Sequence, residues 1–268
     1  MRFVLFCFSL LMWMATAATP AGYVLEQVGA WHLDGDAKPL VPGAALPGGA
    51  AIKNDHPKDG DRLVVADAAG GLLKNIQCAG GTCHECKSAD SCEAPLQPLP
   101  ANTSPLDKTF GGVMARLVGA AERYAYKRAP GEELADAVIT VDQDHADLAP
   151  VVFQLGKGTY SLRWRDLTQP KAKPVTGTVD VAPGRPAVVA PVPPVGLYAC
   201  SVVEKGKPEA KTAWVLLVSP AQSLTATAEF QRAMARTTRW GVSVSPETRR
   251  AYLRASLDEI ARQMADKR

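Results

Sequence analysis

The spacing of hydrophobic positions changes several times along this 268-residue chain, and each change marks an element. Phe3–Met14 is an unbroken apolar run without a charge. From Tyr23 to Ile76 the apolar residues fall in short runs, Tyr23–Val28, Trp31–Leu33, Ala50–Ile52, Arg62–Asp67 and Leu72–Ile76, with no helical period. This pattern predicts about five short strands forming a small barrel or curled sheet over residues 19–77. Leu106, Phe110, Val113, Met114, Leu117, Ala121 and Tyr124 then recur at helical spacing and predict a connecting helix over 105–128. Ser104 would cap it, with Pro105 in its first turn. Gly111-Gly112 weakens that helix but would let it press closely on a sheet.

Residues 135–219 alternate again. Tyr160, Leu162 and Trp164 alternate with polar neighbours, as on a half-buried strand. The predicted strands are Ala137–Val141, Val151–Leu155, Gly158–Asp166, Thr176–Val181, Ala187–Ala190, Gly196–Glu204 and Thr212–Val218. Seven short strands in about 85 residues predict an immunoglobulin-like β-sandwich in architecture, without the Cys…Trp…Cys spacing of antibody domains. The tail, 220–268, returns to helical spacing. Ser219-Pro220 opens one helix with Ala226, Phe230, Ala233 and Met234 on one face; Ser245-Pro246 opens another with Leu253, Leu257, Ile260 and Met264. A helical hairpin is expected there, covering a sheet edge or linking the two β units. The fold class is therefore mainly β with accessory helices.

Turn chemistry punctuates the first β segment. Asp34-Gly35, Val41-Pro42-Gly43, Leu46-Pro47-Gly48-Gly49 and Ala69-Gly70-Gly71 each suit a tight reversal. The run Val28-Gly29, Asp34-Gly35, Leu40–Ala44, Leu46–Ala50, Ile52 and Asp61–Ala66 resembles the extracytoplasmic β domain of FecR-like proteins. The resemblance implies a fold for residues 23–77. Proteins of that family relay a signal through a membrane segment, whereas this chain pairs a leader with no later apolar span.

That leader is residues 1–18, read as a secretory signal peptide: Arg2 is basic, Phe3–Met14 is apolar, and Ala15-Thr16-Ala17 is a small-x-small cleavage site. The apolar run falls short of the roughly 20 residues that span a bilayer comfortably. A retained anchor is the alternative. The expected location is periplasmic or secreted, with no transmembrane segment after cleavage. About 250 residues would remain, enough for two modest domains. The formal charge of +3 is nearly balanced and includes Arg2, which argues against nucleic acid as a partner.

Candidate chemistry is concentrated in residues 78–104, a cysteine-rich loop followed by a Pro-rich linker. Cys78, Cys83, Cys86 and Cys92 are disulfide candidates, because an oxidising compartment favours bridges that brace a segment lacking its own core. Three pairings are open, Cys78–Cys83 with Cys86–Cys92 among them. A zinc reading would use the same four cysteines, with His84 as an alternative ligand, but the thiolates would have to survive oxidation. Covalent haem would need C-x-x-C-H; here Lys87 follows Cys86, leaving only the widened Cys78…Cys83-His84. A redox-active Cys83-x-x-Cys86 would want a helix N-terminus, and none is predicted after Cys86.

Elsewhere the signals are bland. Cys200 reads as a buried free thiol in a strand. Asp142–Asp147 surrounds His145 with carboxylates but lacks the glycine and terminal glutamate of a calcium loop. His32 and His56 stand alone. No nucleophile elbow, zincin or Walker motif occurs. The sequence therefore points to a non-catalytic, cofactor-free binding protein whose partner is a protein or envelope component. An extracytoplasmic redox, haem or metal protein is the alternative.

Overall fold

A computed structural model describes residues 19–88, 91–101, 105–126, 137–142, 155–169, 171–182, 193–207 and 210–266. The expected leader, the expected strand Ala187–Ala190, nearly all of Val151–Leu155, and residues 143–147 of the acidic turn lie outside these residues.

Over the described residues the chain is mainly β with three accessory α-helices. Strands β1 (Gly22–Val28), β3 (Ala45–Leu46), β5 (Arg62–Asp67), β6 (Leu72–Ala79), β7 (Thr82–Ser88) and β8 (Ser91–Ala94) form one antiparallel sheet in the order β3-β1-β5-β6-β7-β8. Two-residue strands β2 (His32–Leu33) and β4 (Ile52–Lys53) pair separately. Leu63-Val64-Val65-Ala66 in β5 is fully buried, because both faces of the sheet are covered. One face holds Val24, Trp31, Leu46, Leu63, Val65 and Ile76. The Pro-rich segment lies against it: Leu99 N donates to Ala50 O at 2.9 Å, and Gly49 N donates to Leu99 O at 3.0 Å. The other face, Tyr23, Leu25, Val64 and Ala66, packs on helices.

The second sheet contains β9 (Ala137–Asp142), β10 (Gly158–Asp166), β11 (Val175–Val181), β12 (Gly196–Glu204) and β13 (Ala210–Val218), in the order β11-β10-β12-β13-β9. All its pairings are antiparallel except β13 with β9. Tyr160, Leu162, Trp164, Tyr198, Cys200 and Val202 share one core. Leu197, Leu216 and Val218 belong to another, which helices cover. The five strands correspond to five of the seven expected.

Helix α1 spans Lys108–Tyr126, α2 Pro220–Trp240 and α3 Pro246–Ala265. α2 and α3 form a C-terminal hairpin joined through a 3-10 turn, Gly241–Ser243. No described helix is long and apolar enough to cross a membrane. The hairpin is apolar on two sides. Ala233, Trp240, Tyr252 and Ala255 meet the first sheet together with Phe110, Val113 and Met114 of α1. Ala226, Phe230, Leu257, Ile260 and Met264 meet the second sheet. The helices thus form a middle layer between two sheets.

Two details differ from the sequence reading. Met234 is 42% exposed, because Ala233, Arg236, Thr237 and Trp240 take the inward positions at that end of α2. The start of α1 lies three residues later than expected and is held by Asp107: its Oδ1 accepts from Phe110 N at 2.9 Å and its carbonyl from Gly111 N at 2.9 Å. A carboxylate suits the partly positive helix N-terminus better than a hydroxyl does.

Asp107 also pairs with Arg236 of α2, whose guanidinium is buried. Arg236 Nη1 donates to Tyr252 Oη of α3 at 3.3 Å, and Nε donates to Ala69 O in the β5–β6 turn at 3.3 Å. The guanidinium lies 5.4 Å from the centroid of the Phe110 ring. Trp240 Nε1 donates to Gly70 O of the same turn at 2.9 Å. Replacing Arg236 with alanine should destabilise the protein by about 2–4 kcal/mol, since it leaves a partly buried carboxylate and a carbonyl without their donor. Arg232→Ala, at an exposed ion pair on the same helix, should change stability by less than about 1 kcal/mol. Urea denaturation of the two variants beside the unaltered chain checks the contrast.

Candidate functional site

The cysteine-rich segment is not a loop. It continues the first sheet as β7 and β8. Gly80 and Gly81, with φ of 59° and 76°, make a two-residue turn whose positive φ at both positions matches the twist of a hairpin. Ala79 then faces Thr82, and Cys78 faces Cys83. The Cys78–Cys83 sulfurs are bonded at 2.01 Å across the β6–β7 pair. Cys86 and Cys92, opposite each other in β7 and β8, are bonded at 2.08 Å. Each disulfide therefore joins directly facing residues on neighbouring strands and fixes their register. With both pairs oxidised, the four sulfurs offer no thiolate to a metal.

His84 lies opposite Gln77 and is half-buried, and its Nδ1 has no hydrogen-bond partner. Glu85 of the same strand accepts from the buried Lys74 Nζ at 2.6 Å. Among the described residues, no three His, Cys, Asp or Glu side chains gather as a metal site would require. His32 Nε2 instead lies 3.0 Å from Asp55 Oδ2. Cys200 is free and fully buried, and desolvation pushes its thiol up to about 12, so it stays protonated and inert.

A second place gathers polar groups, and the sequence reading did not single it out. A cavity of about 340 Å³ opens where α3 crosses the ends of β12 and β13. Its walls are largely apolar: Val195 and Leu197 precede and begin β12, Val218 ends β13, and Ala261 and Met264 come from α3. Arg116 of α1, with Arg262 and Asp258 of α3, supplies the charged part of its lining.

Glu259 organises that charged side. It is 2% exposed and accepts from Arg116 Nε at 2.8 Å, Arg262 Nη2 at 2.6 Å and Gln263 Nε2 at 2.9 Å. Burial pushes its pKa up, but the hydrogen bonds from Arg262, Arg116 and Gln263, with the Arg262 charge, outweigh burial and bring it down to about 2. α1 can approach because of Gly112, where a Cβ would stand 2.9 Å from Glu259 Oε1. The neighbouring Gly111 does the same toward the sheet, where a Cβ would stand 3.1 Å from Tyr23 Oη. The glycine pair therefore serves both neighbours of α1.

Signals for this site existed in the sequence but were indistinct. Arg116, Asp258, Glu259 and Arg262 resemble the solvated face of an amphipathic helix, and only the packing of α1 against α3 brings them together.

Because Glu259 is held well below its ordinary value of 4.5, the stability it contributes is complete above that value and is lost as pH falls toward about 2. Acid titration of stability should therefore be flatter for Glu259→Gln than for the unaltered chain between those limits. The difference should vanish below the lower one. Replacing Cys78 and Cys83 together with alanine should cost about 2 kcal/mol, as expected for a short closed loop. Denaturation in urea, with and without reductant, measures it. No protein-family model matches the sequence, and no curated protein or solved structure matches it.

Proposed function

We propose that this chain is an extracytoplasmic, non-catalytic binding protein whose partner is a protein or another envelope component. The observation that carries the proposal is the oxidised pairing of Cys78 with Cys83 and of Cys86 with Cys92, which links β6, β7 and β8 at one end of the first sheet. Bonds of this kind persist outside the reducing cytosol, in agreement with the leader over residues 1–18. They also turn a thiol-rich segment into a brace, which supports a structural role for it over a metal or haem role. Residues 23–77 are read as a FecR-like module and residues 135–219 as an immunoglobulin-like one. Both are architectures that present surfaces to partners, and that part of the reading is an analogy of fold.

Exported protein should have an intact mass lacking residues 1–18, with two disulfides and no added group. Immobilised on a column, it should retain an envelope protein or glycan that a reduced and alkylated sample does not. A haem absorption band, stoichiometric zinc, or full activity of a dithiol exchange reaction at Cys83 and Cys86 would overturn the proposal.

A further inference from the structure

The two arginines that line the cavity between α3 and the second sheet differ in how many of their donors are used. Arg262 is fully engaged: Nε and Nη2 donate to Glu259, and Nη1 donates to Asp266 Oδ2 at 2.7 Å. Asp258 lies 3.5 Å from Arg254 Nη2. Arg116 is different. Its Nε donates to Glu259, its two terminal nitrogens have no partner among the described residues, and its side chain, which is part of the cavity lining, is 37% exposed. A guanidinium held by Nε alone presents its outer edge as a two-pronged donor, and that edge fits the two oxygens of one carboxylate.

We infer that this cavity binds a small molecule with an apolar body and a single carboxylate, its head on the outer edge of Arg116 and its body against Val195, Leu197, Val218, Ala261 and Met264. The volume of about 340 Å³ lies within the range of small-ligand sites, and the mostly apolar wall with few polar groups is their usual composition. Hydrogen-bond geometry rather than net charge selects a single carboxylate, since the arginines Arg116, Arg254 and Arg262 already face the carboxylates of Asp258, Glu259 and Asp266. Of the two arginines that line the cavity, Arg262 is engaged by Glu259 and Asp266, and Arg116 alone keeps a pair of terminal nitrogens without a partner among the described residues. A dianionic phosphate would meet only that one fork, with Asp258 close by in the lining. Arg116 is well oriented for the task because Glu259, buried and ionised, fixes its Nε. The inference names a ligand for the binding role proposed above and rests on it, though it uses a different part of the molecule from the disulfide-braced strands.

The test is isothermal titration of the full mature chain with octanoate, octanol, octylammonium and N-acetylleucine. Octanoate or N-acetylleucine should bind saturably, and which of them binds tells a free aliphatic acid from the end of a peptide. Octanol should bind at least about tenfold more weakly, the loss expected of a missing charge-assisted pair, and octylammonium more weakly still. Arg116→Gln should weaken the carboxylate by about tenfold or more while leaving octanol unchanged. Met264→Trp, which fills the cavity, should abolish binding of all four; thermal melts show that each variant is folded. Failure of both carboxylates to bind, equal affinity for octanol and octanoate, or an unchanged affinity in folded Arg116→Gln would overturn the inference. If an envelope partner is nevertheless retained on the column, the binding role stands and only the ligand assignment falls.

Discussion

The guanidinium of Arg236 is the interaction on which the assembly depends. It is buried, and a buried cation is tolerated only where nearby oxygens replace the water it has lost. Those oxygens come from the start of α1, the β5–β6 turn and α3. The four elements involved are distant in sequence, and the charge has nowhere else to go, so they must meet in one arrangement. Gly70 shows how close that meeting is. Its φ is +86°, and a Cβ there would stand 2.8 Å from the Arg236 side chain. Trp240 reinforces the same corner by reaching the carbonyl of Gly70.

Around this corner the helices do two jobs at once. Most surface helices bury one stripe. Here α2 and α3 bury one stripe against each sheet, so neither sheet packs directly on the other through these residues. A second polar tie fixes the far side of the layer: Glu26 in β1 pairs with Arg62 and also accepts from the backbone N–H of Ser245 at 2.8 Å, at the entrance to α3. Ser245 in turn accepts from Thr248 N and caps the helix. The cavity lies where this double packing runs out, at the C-terminal end of α3, and its polar rim is the point at which α1 reaches across.

Much of this was legible in the sequence because local rules act strongly there. Ser-Pro pairs opened α2 and α3 where the structure has them, and period-two alternation located the long strands of the second sheet. What escaped notice has definite causes. β7 and β8 carry Thr82, His84, Glu85 and Ser91 in place of an apolar alternation, so the strand period was invisible. The symmetric placement of Cys78 and Cys83 about Gly80-Gly81 was the available clue. Ser104 looked like the cap of α1, but Asp107 also offers a charge to Arg236, a partner 129 residues away that no local pattern reveals. Met234 sat within the apolar spacing of α2, yet a helix buried on two sides does not have one simple stripe. The cavity was the least legible feature, since Arg116 and Glu259 are 143 residues apart.

The two disulfides close loops of very short separation, 5 and 6 residues. This sets an order of events for a chain that emerges from its N-terminus. The outer strands can be locked in register long before the far end of the polypeptide exists, since all their partners are neighbours. The inner surface of that same sheet, with Tyr23, Leu25 and Val64, can meet α1 early but is completed only when Trp240 and Tyr252 arrive. A half-made molecule is therefore a braced plate whose apolar side has only the single helix α1 to cover it until the C-terminal hairpin arrives.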